Sequence, residues 1–154
     1  AGSTWPLDEE LVLQAFDSLR KEAKLLLVPH DVDRKSIEET VERVAASGLT
    51  FSLYSKGPVH DANILILDTI GMLSRAYSYG AVAYVGGGFD GGIHNSLEPA
   101  VFGLPVTFYG NDYTKFNEAV DLLAMGAADA TNRVNPAPFD TPSLRSAYSG
   151  CSLT

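Results

Sequence analysis

Five glycines fall within the seven positions from Gly86 to Gly92, and the next polar groups are His94, Asn95 and Glu98, just ahead of an apolar helical stretch. Glycine lets a backbone approach a ligand closely and adopt positive φ. A helix opening near Asn95 would turn its free N–H groups toward the same space. A phosphate or carboxylate held there gains from those N–H bonds and from the helix dipole, the latter worth about 0.3–2 kcal/mol. The chemistry suggested is capture of an anion by backbone amides. Glu98 has two readings. It can be the capping-box partner of Asn95, worth about 1 kcal/mol of helix stability, a reading that Pro99 in the first turn suits. Alternatively it accepts two hydrogen bonds from a ribose diol while His94 or Asn95 meets a ligand oxyanion. His94 favours the second reading, because an imidazole inside a glycine turn has little to pack against.

The same run satisfies G-x-G-x-x-G at Gly86, Gly88 and Gly91, after a strand and before a helix, with an acid at Asp112 near the spacing of a dinucleotide site. That fingerprint usually opens the first βαβ unit, whereas this one lies past mid-chain. No Gly-Lys-Ser/Thr follows, so a Walker loop is excluded. His30, Asp31 and Asp33 suggest a metal site, but one H-D-x-D in a loop is more often solvated, and no metal is expected. His60 and Asp61 read as surface. Ser78 in "AYSYG" mimics a nucleophile elbow, but it lies between a helix and a strand in the wrong order. Cys151 has no base near it in sequence. Asp8, Glu9 and Glu10 read as first-turn acids that complement a helix dipole, and "RKEAK" as a solvated helix end.

These residues need elements to hold them. "DEELVLQAFDSLRKEAK" places Val12, Ala15, Phe16, Leu19 and Ala23 on one helical stripe. "KLLLVP" is a continuous apolar run. "SIEETVERVAASG" opens with Ser36 and Glu39 at capping-box spacing, carries Ile37, Val41, Val44 and Ala45 on one face, and stops at Gly48. "TFSLYS", "NILILD", "AVAYVG" and "PVTFYG" read as strands, "AADA" as a final one. "GMLSRAYSYG" and "HNSLEPAVFG" read as helices, and "TKFNEAVDLLAMG" as a helix with Phe116, Ala119, Val120 and Leu123 inward. Strands that are unbroken apolar runs are buried on both faces. Alternation with amphipathic helices predicts βαβ units: an α/β domain, a Rossmann-like doubly wound parallel sheet of about five or six strands. Ligands bind such sheets at the carboxyl ends of the strands. Four loops fall there: "GSTW" at the start, "PHDVDR", "DTIG" and the glycine run. The predicted organisation is one domain over residues 1–130 and an irregular tail over 131–154, rich in Pro, Ser, Thr and Asn.

Composition narrows the partners. With 154 residues the chain suits a single packed domain. A formal net charge of −8 argues against nucleic acid or an anionic membrane surface, but not against one small anion held by amides. No run approaches a membrane span, and no basic and apolar leader pattern opens the sequence. One cysteine permits no internal disulfide.

Taken in order, "GSTW" before an acidic helix start, "VPHDVDR", "LDTIGML", "YVGGGFDGGIHNSLEPAVFGLPV" and "YTKFNEAVDL" closely resemble the C-terminal half of the Kdo (3-deoxy-D-manno-octulosonic acid) transferases of lipopolysaccharide synthesis, over roughly Gly2 to Ala128. The resemblance implies half of a GT-B glycosyltransferase, in which two Rossmann-like domains face a cleft. It implies a CMP-Kdo donor on this domain and inverting transfer without a metal or other cofactor. On the other domain it implies the lipid A precursor, a carboxylate base and the anchor to the inner membrane, at its cytoplasmic face. Carried over residue by residue, Ser3 and Thr4 would lie near the donor's charged groups, and Gly71 and Met72 would border the cytidine. Gly91, Gly92, His94 and Asn95 would form a nest for phosphate and the Kdo carboxylate, Glu98 would take the ribose hydroxyls, and Lys115 and Asn117 on the next helix would reach the donor. Where many relatives read Pro-Arg-His, this chain reads Pro29, His30, Asp31, so a histidine stands in place of a clamping arginine. The tail lacks the long helices that relatives send back to the other domain. One domain supplies half the transition-state contacts, so this domain alone is expected to bind donor weakly and not to catalyse transfer. The competing readings are a UDP-sugar-dependent GT-B domain, a dinucleotide-binding domain of an oxidoreductase, and a non-catalytic α/β interaction module.

Overall fold

The computed structural model describes residues 1–89, 92–110 and 112–131. The predicted tail beyond Thr131 and the nest residue Gly91 therefore lie outside the described residues. Within them the chain alternates as expected: β1 (Gly2–Thr4), α1 (Pro6–Asp17), β2 (Leu25–Pro29), α2 (Arg34–Ala46), β3 (Phe51–Leu53), β4 (Ile64–Ile66), α3 (Leu73–Ala76), β5 (Ala83–Tyr84), α4 (Leu97–Val101), β6 (Val106–Tyr109), α5 (Asn117–Ala124) and β7 (Ala128–Thr131). All strand pairs are parallel, in two ladders ordered β1-β2-β4-β3 and β5-β6-β7. A single parallel bridge, Gly2 to Val85, joins β1 to the end of β5. Chain order reverses there, because β1 leads outward through β2 on one side and β5 through β6 on the other.

The sheet is covered on both faces, and the strand residues show it. Successive side chains on a strand point to opposite faces. Leu25 and Leu27 of β2, with Ile64 and Ile66 of β4, pack with Leu13 and Phe16 of α1 and Val44 of α2. Their neighbours Leu26, Val28, Leu65 and Leu67 pack instead with Met72, Leu73 and Ala76. That is why "KLLLVP" and "NILIL" are apolar at every position. On the other ladder Val106 and Phe108 bury against Ala119 of α5.

Several local expectations are corrected. Gly2–Thr4, read as a loop, is a strand; its backbone pairs with β2, and Gly2 accepts the Gly86 N–H. Helix α1 stops at Asp17, short of "RKEAK", and Ala23 is exposed. The N-cap of α2 is Asp33, whose carboxylate accepts the N–H groups of Lys35 and Ser36; the Ser36 hydroxyl donates to that same carboxylate, so Ser36 opens no capping box. Lys115 sits in a 3-10 turn ahead of α5, and Val120 faces outward while Leu122 is buried.

The largest surprise concerns the first-turn acids of α1. Asp8 and Glu9 are buried, at 0% and 2% exposure, so they cannot be merely solvated dipole partners. Glu9 pairs with Arg43 of α2 and accepts hydrogen bonds from Thr40 (3.0 Å) and Thr4 (3.4 Å). Burial holds its carboxyl above the ordinary range, with Arg43 and the two hydroxyls pulling it back.

Candidate functional site at the sheet's switch point

Parallel α/β sheets bind ligands outside the carboxyl ends of their strands, where chain order reverses. Here that place is the junction of β1 and β5. Trp5 follows β1, His30 follows β2 and the glycine run follows β5. Three aromatic rings meet there. His30 stacks on Trp5 (centroids 4.4 Å, 22° between planes) and on His94 (4.5 Å, 21°). The Trp5 indole N–H donates to His94 Nε2 at 3.1 Å. Trp5 and His94 are thus joined edge to edge, and His30 lies across both. Burial depresses the His94 pKa below its usual value; His30 adds to the effect and Asp8 opposes it.

Asp8 ties this cluster to the fold. Its Oδ2 accepts the backbone N–H groups of Trp5 and Gly87, both at 3.0 Å, and its Oδ1 accepts the Tyr84 hydroxyl at 2.6 Å. The Trp5 bond satisfies the N-cap amide of α1 from the third helical residue, and Pro6 at the first helical position has no N–H that needs an acceptor. One buried carboxylate therefore holds the end of β1, the end of β5 and the first turn of the glycine loop.

The glycines explain themselves by close packing. A Cβ on Gly86 would lie 2.3 Å from the Ser3 carbonyl oxygen, and one on Gly88 only 1.8 Å from that of Tyr109. Gly87 has φ +100°, and a Cβ there would lie 2.6 Å from the Gly92 oxygen. Ser3, opposite Gly86, itself takes φ +52°, a conformation uncommon outside glycine. The loop is pressed against its own neighbours, and this changes the amide reading. The N–H groups of Gly86, Gly87, Gly92 and His94 are already bonded, to the Gly2 oxygen, Asp8, the Gly87 oxygen and the Gly86 oxygen. Gly92 and His94 therefore offer no backbone donor; what His94 offers is its ring. Helix α4 spans five residues, so its dipole is a small term.

The other expected residues fall into three groups. The N-cap of α4 is Ser96, not Asn95; Asn95 precedes it, its Oδ1 accepting the Leu97 N–H at 3.0 Å in a local turn. Glu98 makes no reciprocal capping bond; it is half-buried, and among the described residues no hydrogen bond reaches its carboxylate. Ser3 remains at the junction, but Thr4 is 2% exposed, with its hydroxyl turned inward to Glu9 and Val28. Gly71 (φ +83°) and Met72 follow β4, two strands from β1; Gly71 is exposed and borders open space, while Met72 packs on the Val28 cluster. Gly92 lies on the Phe116 ring, which brings the turn bearing Lys115 and the start of α5 at Asn117 beside the loop.

Trp5 and Asp8 were the functional residues missed. The only signal for Trp5 was its place at the end of the "GSTW" loop, just ahead of a helix. Asp8 looked like any first-turn acid. A cavity of about 770 Å³ opens elsewhere, at the amino ends of the strands, lined by Phe16, Leu26, Leu65, Val82 and Leu104. It is mostly apolar, with Glu22, Lys24, His60 and Asn63 also in its lining.

Comparison with known proteins places this geometry. No family model matches the chain. It is 37% identical to a 3-deoxy-D-manno-octulosonic acid transferase of Chlamydophila psittaci, over 96% of this chain and 35% of that protein. It is 33% identical to the enzyme of the same name from Aquifex aeolicus, over 80% of this chain and 34% of that one. The chain thus spans about a third of the length of these relatives. Among solved structures, the C-terminal CMP-Kdo binding domain of WaaA from Acinetobacter baumannii matches with a TM-score of 0.73 and 28% identity, over 85% of this chain and 70% of that one. The parallel sheet wound on both faces and these likenesses agree: the chain is a homologue of the 3-deoxy-D-manno-octulosonic acid transferases and has the Rossmann-like fold of their C-terminal, GT-B-type domain.

Proposed function

We propose that this chain is the donor-binding domain of an inverting glycosyltransferase and holds CMP-Kdo at the β1/β5 switch point. The observation that carries the reading is the convergence of Trp5, His30 and His94 on that edge, in a chain whose structural relative is a CMP-Kdo binding domain. Glu98, half-buried and without a hydrogen-bonding partner among the described residues, is the acceptor for the ribose hydroxyls. The His94 ring and the side chain of Asn95 meet the phosphate and the sugar carboxylate. Ser3, His30, Gly71, Met72, Gly92, Lys115 and Asn117 border the same donor.

In the reaction an acceptor hydroxyl of lipid A precursor attacks the anomeric carbon. The bond to the phosphate oxygen breaks and its electrons leave with CMP. Charge grows on that phosphate, so a donor placed there before reaction lowers the barrier. The hydroxyl proton goes to a carboxylate on a second domain that faces this one, which also carries the acceptor and the contact with the inner membrane. No metal takes part. This domain alone binds donor and does not turn over. No helix among the described residues is long and apolar enough to cross a membrane.

Calorimetric titration with CMP, UDP and NAD tests the reading. CMP should bind most tightly, and Glu98→Gln should weaken it about tenfold, the worth of a charge-assisted hydrogen bond, with unfolding stability unchanged. Tighter binding of UDP or NAD, or no binding of CMP, overturns it.

A further inference from the structure

We propose that Trp5 is a positioning residue that fixes the proton of His94 on Nδ1, making that N–H the donor His94 presents to an anionic ligand oxygen. The ligand half rests on the donor-site reading above; the tautomer half rests on geometry alone. An indole N–H can only donate, and a neutral imidazole carries one N–H and one lone pair. The bond from Trp5 Nε1 to His94 Nε2, at 3.1 Å, therefore needs the lone pair on Nε2 and leaves the proton on Nδ1. An imidazolium would set two donors against each other across that contact. Among the described residues, no hydrogen bond is made by Nδ1.

The surroundings act in the same direction. His94 is part-buried, and the groups that face it are the ring of His30 stacked on it and the carboxylate of Asp8 beneath the loop. Burial and His30 disfavour the charged ring, and Asp8 alone favours it. The main-chain N–H of His94 is already given to the Gly86 oxygen, so the ring is the group left to donate. His94 thus acts as a neutral, fixed donor where a charged side chain would bring a pH-dependent one. This also fits a loop whose glycine amides are spent on its own packing.

The test uses Trp5→Phe, which keeps an aromatic ring against His30 but removes the indole N–H. Imidazole ¹⁵N spectra of the whole chain should show His94 with an acceptor-type Nε2 and a protonated Nδ1 from pH 6 to 8. In Trp5→Phe the proton should move largely to Nε2 and the ring should titrate at higher pH. CMP affinity at pH 7.5 should fall by roughly tenfold, the lower end of what one hydrogen bond to a charged group contributes. It should also gain a pH dependence that the parent lacks; the phosphate's own titration is common to both proteins and cancels. A protonated Nε2 in the parent, or identical spectra in the variant, overturns the proposal, and so does a tautomer change with unaltered CMP binding. Failure of CMP to bind either protein refutes the donor-site reading instead, and the spectra alone then decide the tautomer.

Discussion

Replacing Asp8 by alanine should unfasten the site from the fold. The carboxylate is fully buried and accepts three hydrogen bonds, from the Trp5 and Gly87 amides and the Tyr84 hydroxyl. Hydrogen bonds to a charged group contribute about 1.5–3 kcal/mol each. Simple addition would give roughly 4.5–9 kcal/mol, but bonds that share an acceptor are not additive. Trp5 is part-exposed, so water can also reach one orphaned donor. A loss of about 4 kcal/mol is the expected outcome, or about 8–16 °C in Tm for a chain of this size. Asp8→Asn keeps one oxygen for the two amides and should lose about 1–2 kcal/mol. Urea unfolding followed by far-ultraviolet dichroism measures both, with an unchanged m-value confirming that the same surface is exposed. A change within 1 kcal/mol for Asp8→Ala would refute the view that this carboxylate ties the strand ends together.

Other consequences can be checked on the same chain. Gly88→Ala places a methyl against the Tyr109 carbonyl oxygen and should destabilise by about 3 kcal/mol, whereas Gly71→Ala, with open space around it, should lose only about 1 kcal/mol from its positive φ; thermal melts of the pair compare them. Because the folded state lowers the His94 pKa from 6.5, its share of stability is complete above pH 6.5 and is lost as pH falls through the folded value; His94→Gln should flatten that part of the urea-midpoint profile. Glu9 behaves oppositely. Its folded pKa is raised from 4.5, so its contribution is complete below pH 4.5 and is lost as pH rises through the folded value, and Glu9→Gln should remove that decline.

The sheet was legible because unbroken apolar runs such as Leu25 to Val28 have one explanation, burial on both faces. The edge of the candidate site was expected from the same pattern, since the loops after β2, β4 and β5 had to share it, while β1 itself was read as a loop. His30 and His94 were singled out, though not as partners, because they are 64 positions apart and only the strand order brings their rings together. Trp5 and Asp8 were invisible for a related reason. Neither has a local pattern that distinguishes a tertiary contact from an ordinary helix start. The glycines were read as open to a ligand when their first task is contact with the Ser3 and Tyr109 carbonyls, because sequence records the missing side chain but not what fills its place.

The two ladders meet through the bridge between Gly2 and Val85 and through the bonds gathered by Asp8. Each ladder has its own packed helices and its own apolar cluster. Such halves are natural cooperative units for native-state amide exchange, opening with separate free energies. The amides of Gly86 and Gly87, which span the join, should exchange earlier than those of β2 or β6. A ligand gripping both sides of the join would slow them most of all, so protection at these two positions would report occupancy before any chemistry occurred.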